Sequence, residues 1–189
     1  MELREFHTTE GILKFINDKL LLISMEIYKD QRVGVFVDVQ NLYYSAKHLY
    51  KKKVNFNAVL REGINGRKLI RAFAYVIQAD ELKEKSFFDA LSKIGFDVKS
   101  KDLQVFYGGM KKGDWDVGIA VDAIQLAEKL DVVILVSGDG DYKPLVEYLK
   151  SARGCRVEAM AFGKSTSRLL KESVDEFIDL DENSRKYLL

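Results

Sequence analysis

A chain of 189 residues, 47% hydrophobic and with a formal net charge of +1, is long enough to bury one sizeable core and carries no global basic signal for nucleic acid. Its single cysteine, Cys155, excludes an internal disulfide and a cysteine-cluster zinc site, and fits a reducing compartment. No run approaches the ~20 uncharged apolar residues that cross a bilayer, and the opening MELREFHTTEG mixes charges of both signs without a signal-peptide core, so a cytoplasmic protein with no membrane segment is expected.

Residues 9–28 repeat apolar side chains at helical spacing through Ile12, Phe15, Ile16, Leu20, Ile23 and Ile27. Residues 20–23 are apolar all round, so this helix either packs on two sides or joins copies of the chain into a homo-oligomer. RVGVFVDV (32–39) is a buried strand. LYYSAKHLY (42–50) and FNAVLREGI (56–64) are helical, and KLIRAFAYVI (68–77) is a strand. DELKEKSFFDALSKIG (80–95) is an amphipathic helix closed by Gly95. FDVKSK and LQVFYG are two short strands or an extended hairpin. DWDVGIAVDAIQLAEKL (114–130) is a helix with Asp114 as its expected N-cap. DVVILVSG is a strand, and DYKPLVEYLKSA is a helix with Pro144 in its first turn. CRVEAMAF is a strand that takes Cys155 into the core, STSRLLKESV a helix and EFIDL a last strand. Apolar strands alternating with helices mean an α/β fold, a mainly parallel sheet covered on both faces. It spans residues 32–181, after a helical extension (1–31) and before a short tail (182–189).

Ligands of such sheets bind beyond the carboxyl ends of the strands, and acids fall there repeatedly. Asp38 ends the first strand, and Asp139 and Asp141 follow VVILVSG. Asp116 opens the helix after the VFYGGMKKG loop. Taken singly, Asp141 and Asp114 read as helix caps; together the acids form a rim. Carboxylates in one cleft raise one another's pKa, and a divalent cation relieves the repulsion. Oxygen donors suit Mg²⁺ or Mn²⁺, and the only histidines, His7 and His48, lie outside these segments. Asn41 either caps the following helix or steadies a carboxylate and water. Ser137 can donate to a carboxylate or a water, and Asp122 either supports the rim or partners a lysine.

VFVDVQNLYY, KKGDWDVGIAVDAIQLA and VVILVSGDGDYKPLVEYLKSARGCRVEAMAF together resemble the NYN domain, in the LabA-like branch of the PIN-like nuclease superfamily. The resemblance implies a Rossmann-like three-layer sandwich and metal-dependent hydrolysis of RNA by a metal-activated water. Its acidic positions fall on Asp38, Asp116, Asp139 and Asp141, with Asn41 beside Asp38 and Asp114 competing with Asp116. One or two Mg²⁺ or Mn²⁺ ions are the implied cofactors. The rival reading is an RNA-binding or regulatory protein with little turnover. A dehalogenase-type phosphatase is disfavoured by Gln40, two residues after Asp38, where such enzymes need a second aspartate.

Eight lysines and arginines lie between Tyr43 and Arg71 against one acid, Glu62. Among them Lys47, Lys51, Lys52 and Lys53 interleave with Tyr43, Tyr44, Tyr50 and Phe56. Basic residues contact phosphates and aromatic rings stack on unpaired bases. These lysines, with Lys112 near the rim, are therefore the candidate contacts for single-stranded RNA, set against a plain solvated helix face over core aromatics.

Overall fold

The computed structural model describes residues 28–78, 81–105, 111–112 and 114–189, together with 13, 14, 16 and 17. Most of the expected 9–28 helix therefore lies outside the described residues; within it, 13, 14, 16 and 17 are helical.

Continuous apolar runs form the centre of the sheet. Strand β1 (Arg32–Asp38) is buried from Val33 to Val37, and β6 (Val132–Val136) is buried throughout. Each needs a covering on both faces, and a parallel sheet wrapped by helices supplies it. With β2 (Lys68–Gln78), β3 (Asp97–Asp102), β7 (Arg156–Ala161) and β8 (Glu176–Asp179) they form a six-stranded sheet ordered β3-β2-β1-β6-β7-β8, every pairing parallel. The expected hairpin divides. β3 joins the main sheet, while β4 (Gln104–Val105) pairs antiparallel with β5 (Lys111–Lys112) in a separate ribbon.

Alternate residues of the strands serve two cores. Val33, Val35, Val37, Ile134 and Met160 pack with Leu42, Val59 and Leu91, which come from α1 (Val39–Tyr50), α2 (Phe56–Ile64) and α3 (Glu81–Ile94). Phe36, Tyr75, Val133 and Leu135 pack with Ile119, Leu149 and Leu170, which come from α4 (Asp116–Leu126), α5 (Lys143–Arg153) and α6 (Arg168–Ser173). The result is the three-layer sandwich implied by the resemblance. Cys155 is buried as expected, and burial pushes its thiol pKa up. No described helix is long and apolar enough to cross a membrane.

One local expectation is corrected. Helix α4 begins at Asp116 with Trp115, not Asp114, in the N-cap position and no side-chain cap; the indole instead donates from Nε1 to the Val76 carbonyl at 2.8 Å. The C-terminal tail, 182–189, packs back on the domain: α7 (Ser184–Tyr187) brings Tyr187 into the core, and Leu188 bridges to Val54.

Among the described residues, one charged pair sits inside. Arg67 and Glu158 are each 1% exposed and form two 2.8 Å bonds. Arg67 also donates to the carbonyls of Gly63 and Ile64, and Arg156 donates to Glu158. The pair ties the turn before β2 to β7 with four of the five guanidinium N–H groups bonded, and such satisfaction is the condition for burying charge without a large penalty.

Candidate active site

From β1 the chain builds outward to β3 on one side, then returns to β6 on the other. The crevice at this reversal, beyond the carboxyl ends of β1 and β6, is where a doubly wound sheet binds ligands. Asp38 ends β1, and Ser137 to Asp141 follow β6.

Hydrogen bonds fix the two loops against each other. The Asn41 backbone N–H donates to Asp38 Oδ1 at 3.0 Å, so Asp38 is the N-cap of α1. The Asn41 side-chain carbonyl accepts from Gly138 N–H at 2.9 Å. Asn41 therefore neither caps a helix nor bonds the Asp38 carboxylate with its side chain; it stitches the first loop to the second. Asp139 Oδ1 accepts from Asp141 N–H at 3.0 Å, making Asp139, not Asp141, the cap of the short helical turn 140–142. Buried Ser137 accepts from the Asp139 N–H at 3.2 Å rather than donating to a carboxylate there.

Asp116 arrives from the other layer at the start of α4, and the Tyr142 hydroxyl donates to its Oδ1 at 3.1 Å. Tyr142 is 2% exposed. Its pKa is pushed up by burial and by Asp38, Asp116 and Asp139. The sequence offered Tyr142 only as another aromatic residue at a helix start. The wall formed by residues 163–167, at the carboxyl end of β7, was also missed. There the Ser167 N–H donates to the Gly138 carbonyl at 2.9 Å. A Cβ on Gly140 would lie 2.5 Å from Ser167 Oγ and 3.0 Å from its Cβ, so any side chain there would crowd this wall. The available signal was Ser165-Thr166-Ser167 standing where a strand ends.

The charges reinforce one another. Burial pushes the Asp38 carboxyl up to about 6; hydrogen bonds from the backbone of Asn41 and Gln40 oppose the shift, and Asp116 and Asp139 add to it. Burial also raises Asp116, opposed by the Tyr142 hydroxyl and reinforced by Asp114, Asp139 and Asp141. Among the described residues, no lysine or arginine forms an ion pair with Asp38, Asp116, Asp139 or Asp141. An all-oxygen, anionic donor set without a counter-charge suits a hard divalent cation. Among the described residues no three acidic, histidine or cysteine side chains converge closely enough to hold an ion by themselves. The fit is therefore to a cation that keeps several waters and takes one or two carboxylates directly, the usual habit of Mg²⁺.

Of the two roles expected for Asp122, the structure shows the lysine partner. Its oxygens accept from Lys99 Nζ at 2.6 and 2.7 Å and from the Tyr75 hydroxyl at 2.7 Å. The Lys112 side chain lies outside the described residues. Lys47, Lys51, Lys52 and Lys53 gather at the end of α1 and the turn after it, all exposed. Their interleaved aromatics separate into two kinds. Phe56 is core, and Tyr50 donates to Asp181 and packs on Phe162. Tyr43 and Tyr44 stay exposed.

Comparison with known proteins agrees with this architecture. A crystal structure of a protein of unknown function from Vibrio parahaemolyticus superposes with a TM-score of 0.78 at 34% identity, covering 85% of this chain and 98% of that one. The Low amplitude and bright protein LabA of Synechococcus elongatus is 25% identical over 166 residues, 82% of this chain and 87% of its own. The family model for the NYN domain matches residues 32–181. The acids at the crossover thus sit in a chain that belongs to the NYN domain family, within the PIN-like nuclease superfamily.

Proposed function

We propose that this chain is a metal-dependent ribonuclease that hydrolyses phosphodiester bonds of single-stranded RNA. The observation that carries the proposal is that four carboxylates from three chain segments lie at the sheet reversal near enough to raise one another's pKa, with no basic ion-pair partner among the described residues and with Asp38 pushed up to about 6. NYN and PIN-like nucleases are generally metal-dependent, and Mg²⁺ or Mn²⁺ matches the oxygen donors. When bound, the cation would lower the pKa of a water and neutralise charge on the phosphate. Asp38, Asp116 and Asp139 would hold it, one or two of them directly and the rest through its waters, with Asp141 beside them. Asn41 keeps the two carboxylate loops in register, Ser137 holds the Asp139 N–H within the second, and Tyr142 orients Asp116. Lys47, Lys51, Lys52 and Lys53, with Lys112, would take the phosphates of the strand.

Labelled RNA incubated with the protein is expected to be degraded in Mg²⁺ or Mn²⁺, spared by chelator, and spared by Asp38→Asn or Asp139→Asn at unchanged fold. Equal degradation by wild type and Asp38→Asn refutes the assignment. The spread of the carboxylates favours a second reading, an RNA-binding NYN protein with little turnover, and binding without cleavage in the same assay would select it. We also propose self-association through residues 9–28, where Leu13 and Ile16 are 54% and 45% exposed. A chain starting at Asp30 that keeps the wild-type oligomeric state by light scattering rules this out.

A further inference from the structure

Resting on the nuclease reading, we propose that the groove beside Asp38 is a stacking subsite for an unpaired RNA base flanking the scissile phosphate, with Tyr44 as its platform. A cavity of about 520 Å³ opens between the first turns of α1, the end of β2 and helix α3, lined by Gln40, Tyr43, Tyr44, Lys53, Val76 and Phe87 among others. It adjoins the acidic crevice through the start of α1. Val39 and Gln40 line it directly after Asp38, and the Gln40 backbone N–H bonds the Asp38 carboxylate. A strand whose phosphate sits at the acids therefore has its neighbouring nucleotide at this groove.

The lining has the composition that base stacking requires. Tyr44 is 60% exposed and Tyr43 37%, although apolar rings of this size usually find a core. They brace one another edge to face, with centroids 5.5 Å apart and planes at 71°. Phe87, packed on buried Phe56 at 5.8 Å, gives the groove a fixed apolar side. Charge is placed for a polyanion: Lys53 lines the groove, and Lys47 Nζ stands 5.7 Å from the Tyr43 ring centroid. Aromatic faces beside lysines select single strands, because only an unpaired, unstacked base can offer its face to a side chain. Stacking on an aromatic face tolerates every base, so the subsite is expected to accept any base that stacks well.

The test is fluorescence anisotropy with the full chain and two short fluorescein-labelled probes at one salt concentration, an oligoadenylate and an abasic ribose-phosphate oligomer of equal length. Binding is measured with chelator, and again in Mg²⁺ in an Asp139→Asn background that removes cleavage. Tyr44→Ala is expected to weaken oligoadenylate binding about tenfold, Tyr44→Phe to retain it, and the abasic oligomer to bind weakly and equally to all. Because Tyr44 is exposed, its variants should melt with the wild type. Wild-type affinity for oligoadenylate in Tyr44→Ala overturns the subsite, and is the result expected if the groove takes an apolar peptide instead. Equal wild-type affinity for the two probes overturns it as well. If RNA is still cleaved in either case, only the subsite falls. If the wild type neither binds nor cleaves RNA, the nuclease reading falls with it.

Discussion

Asp38→Asn should stabilise the metal-free protein. Folding raises the Asp38 carboxyl from 3.8 to about 6, a difference worth about 3 kcal/mol between its protonation states. Below about pH 4 the group is protonated in both folded and unfolded chains and contributes nothing to the pH dependence. Between about pH 4 and 6 the native state holds the proton more tightly, so stability falls as pH rises through that window and stays low above it. The substituted carboxamide carries no charge, yet its carbonyl can still accept the Asn41 N–H that caps α1. The variant is therefore expected to match the wild type near pH 4 and to exceed it by up to about 3 kcal/mol at pH 8. The shift that Asp38 and its acidic neighbours impose on one another is relieved in the same step. Urea denaturation followed by circular dichroism, in chelator, across that pH range reads the difference directly. Mg²⁺ should then narrow the gap at pH 8, since a cation at 100 times its Kd stabilises the wild type by about 2.7 kcal/mol and the variant by less. An Asp38→Asn protein less stable than wild type at pH 8, or a difference flat with pH, refutes the reasoning.

Tyr142→Phe removes a buried hydroxyl that donates to Asp116; we expect a loss of about 1.5–3 kcal/mol in urea and a fall in RNA cleavage at saturating Mg²⁺, and unchanged cleavage would show that Asp116 needs no orienting. Glu158→Ala leaves the Arg67 guanidinium buried against an empty site, so a loss of about 3–5 kcal/mol is expected, measured by the same denaturation; a loss under about 1 kcal/mol would mean water reaches the site. Gly140→Ala puts a methyl 2.5 Å from Ser167 Oγ and 3.0 Å from its Cβ, displacing the loop that carries Asp139 and Asp141. Cleavage should drop while the melting profile stays cooperative, and wild-type cleavage would show that the 163–167 wall yields freely.

The sequence carried the site's charges more clearly than its scaffolding. Apolar runs that end in aspartate were visible because burial and strand ends leave a local pattern, and the rule for doubly wound sheets gathered the acids from there. The bonds that organise them were not local. Asn41 meets Gly138 across 97 residues, and Tyr142 meets Asp116 across 26. Asn41 had looked like a helix cap because its partner is a backbone N–H, which leaves no trace in composition. Asp122 was ambiguous for the same reason: an acid on an apolar helix face needs some partner, and only strand order brings Lys99 of β3 and Tyr75 of β2 to it. The rings of Tyr43 and Tyr44 could not be told from those of Tyr50 and Phe56 until packing had sorted them, because neighbours on a helix divide by turn, not by type.

The acids hang from the two innermost strands and the first turns of the helices nearest them, while β3 and β8 form the margins of the sheet. Fraying at a margin therefore leaves the crevice standing, and its persistence is tied to global rather than local opening. Insertions grafted along those outer strands can change what the protein grips without retuning the acidic crevice.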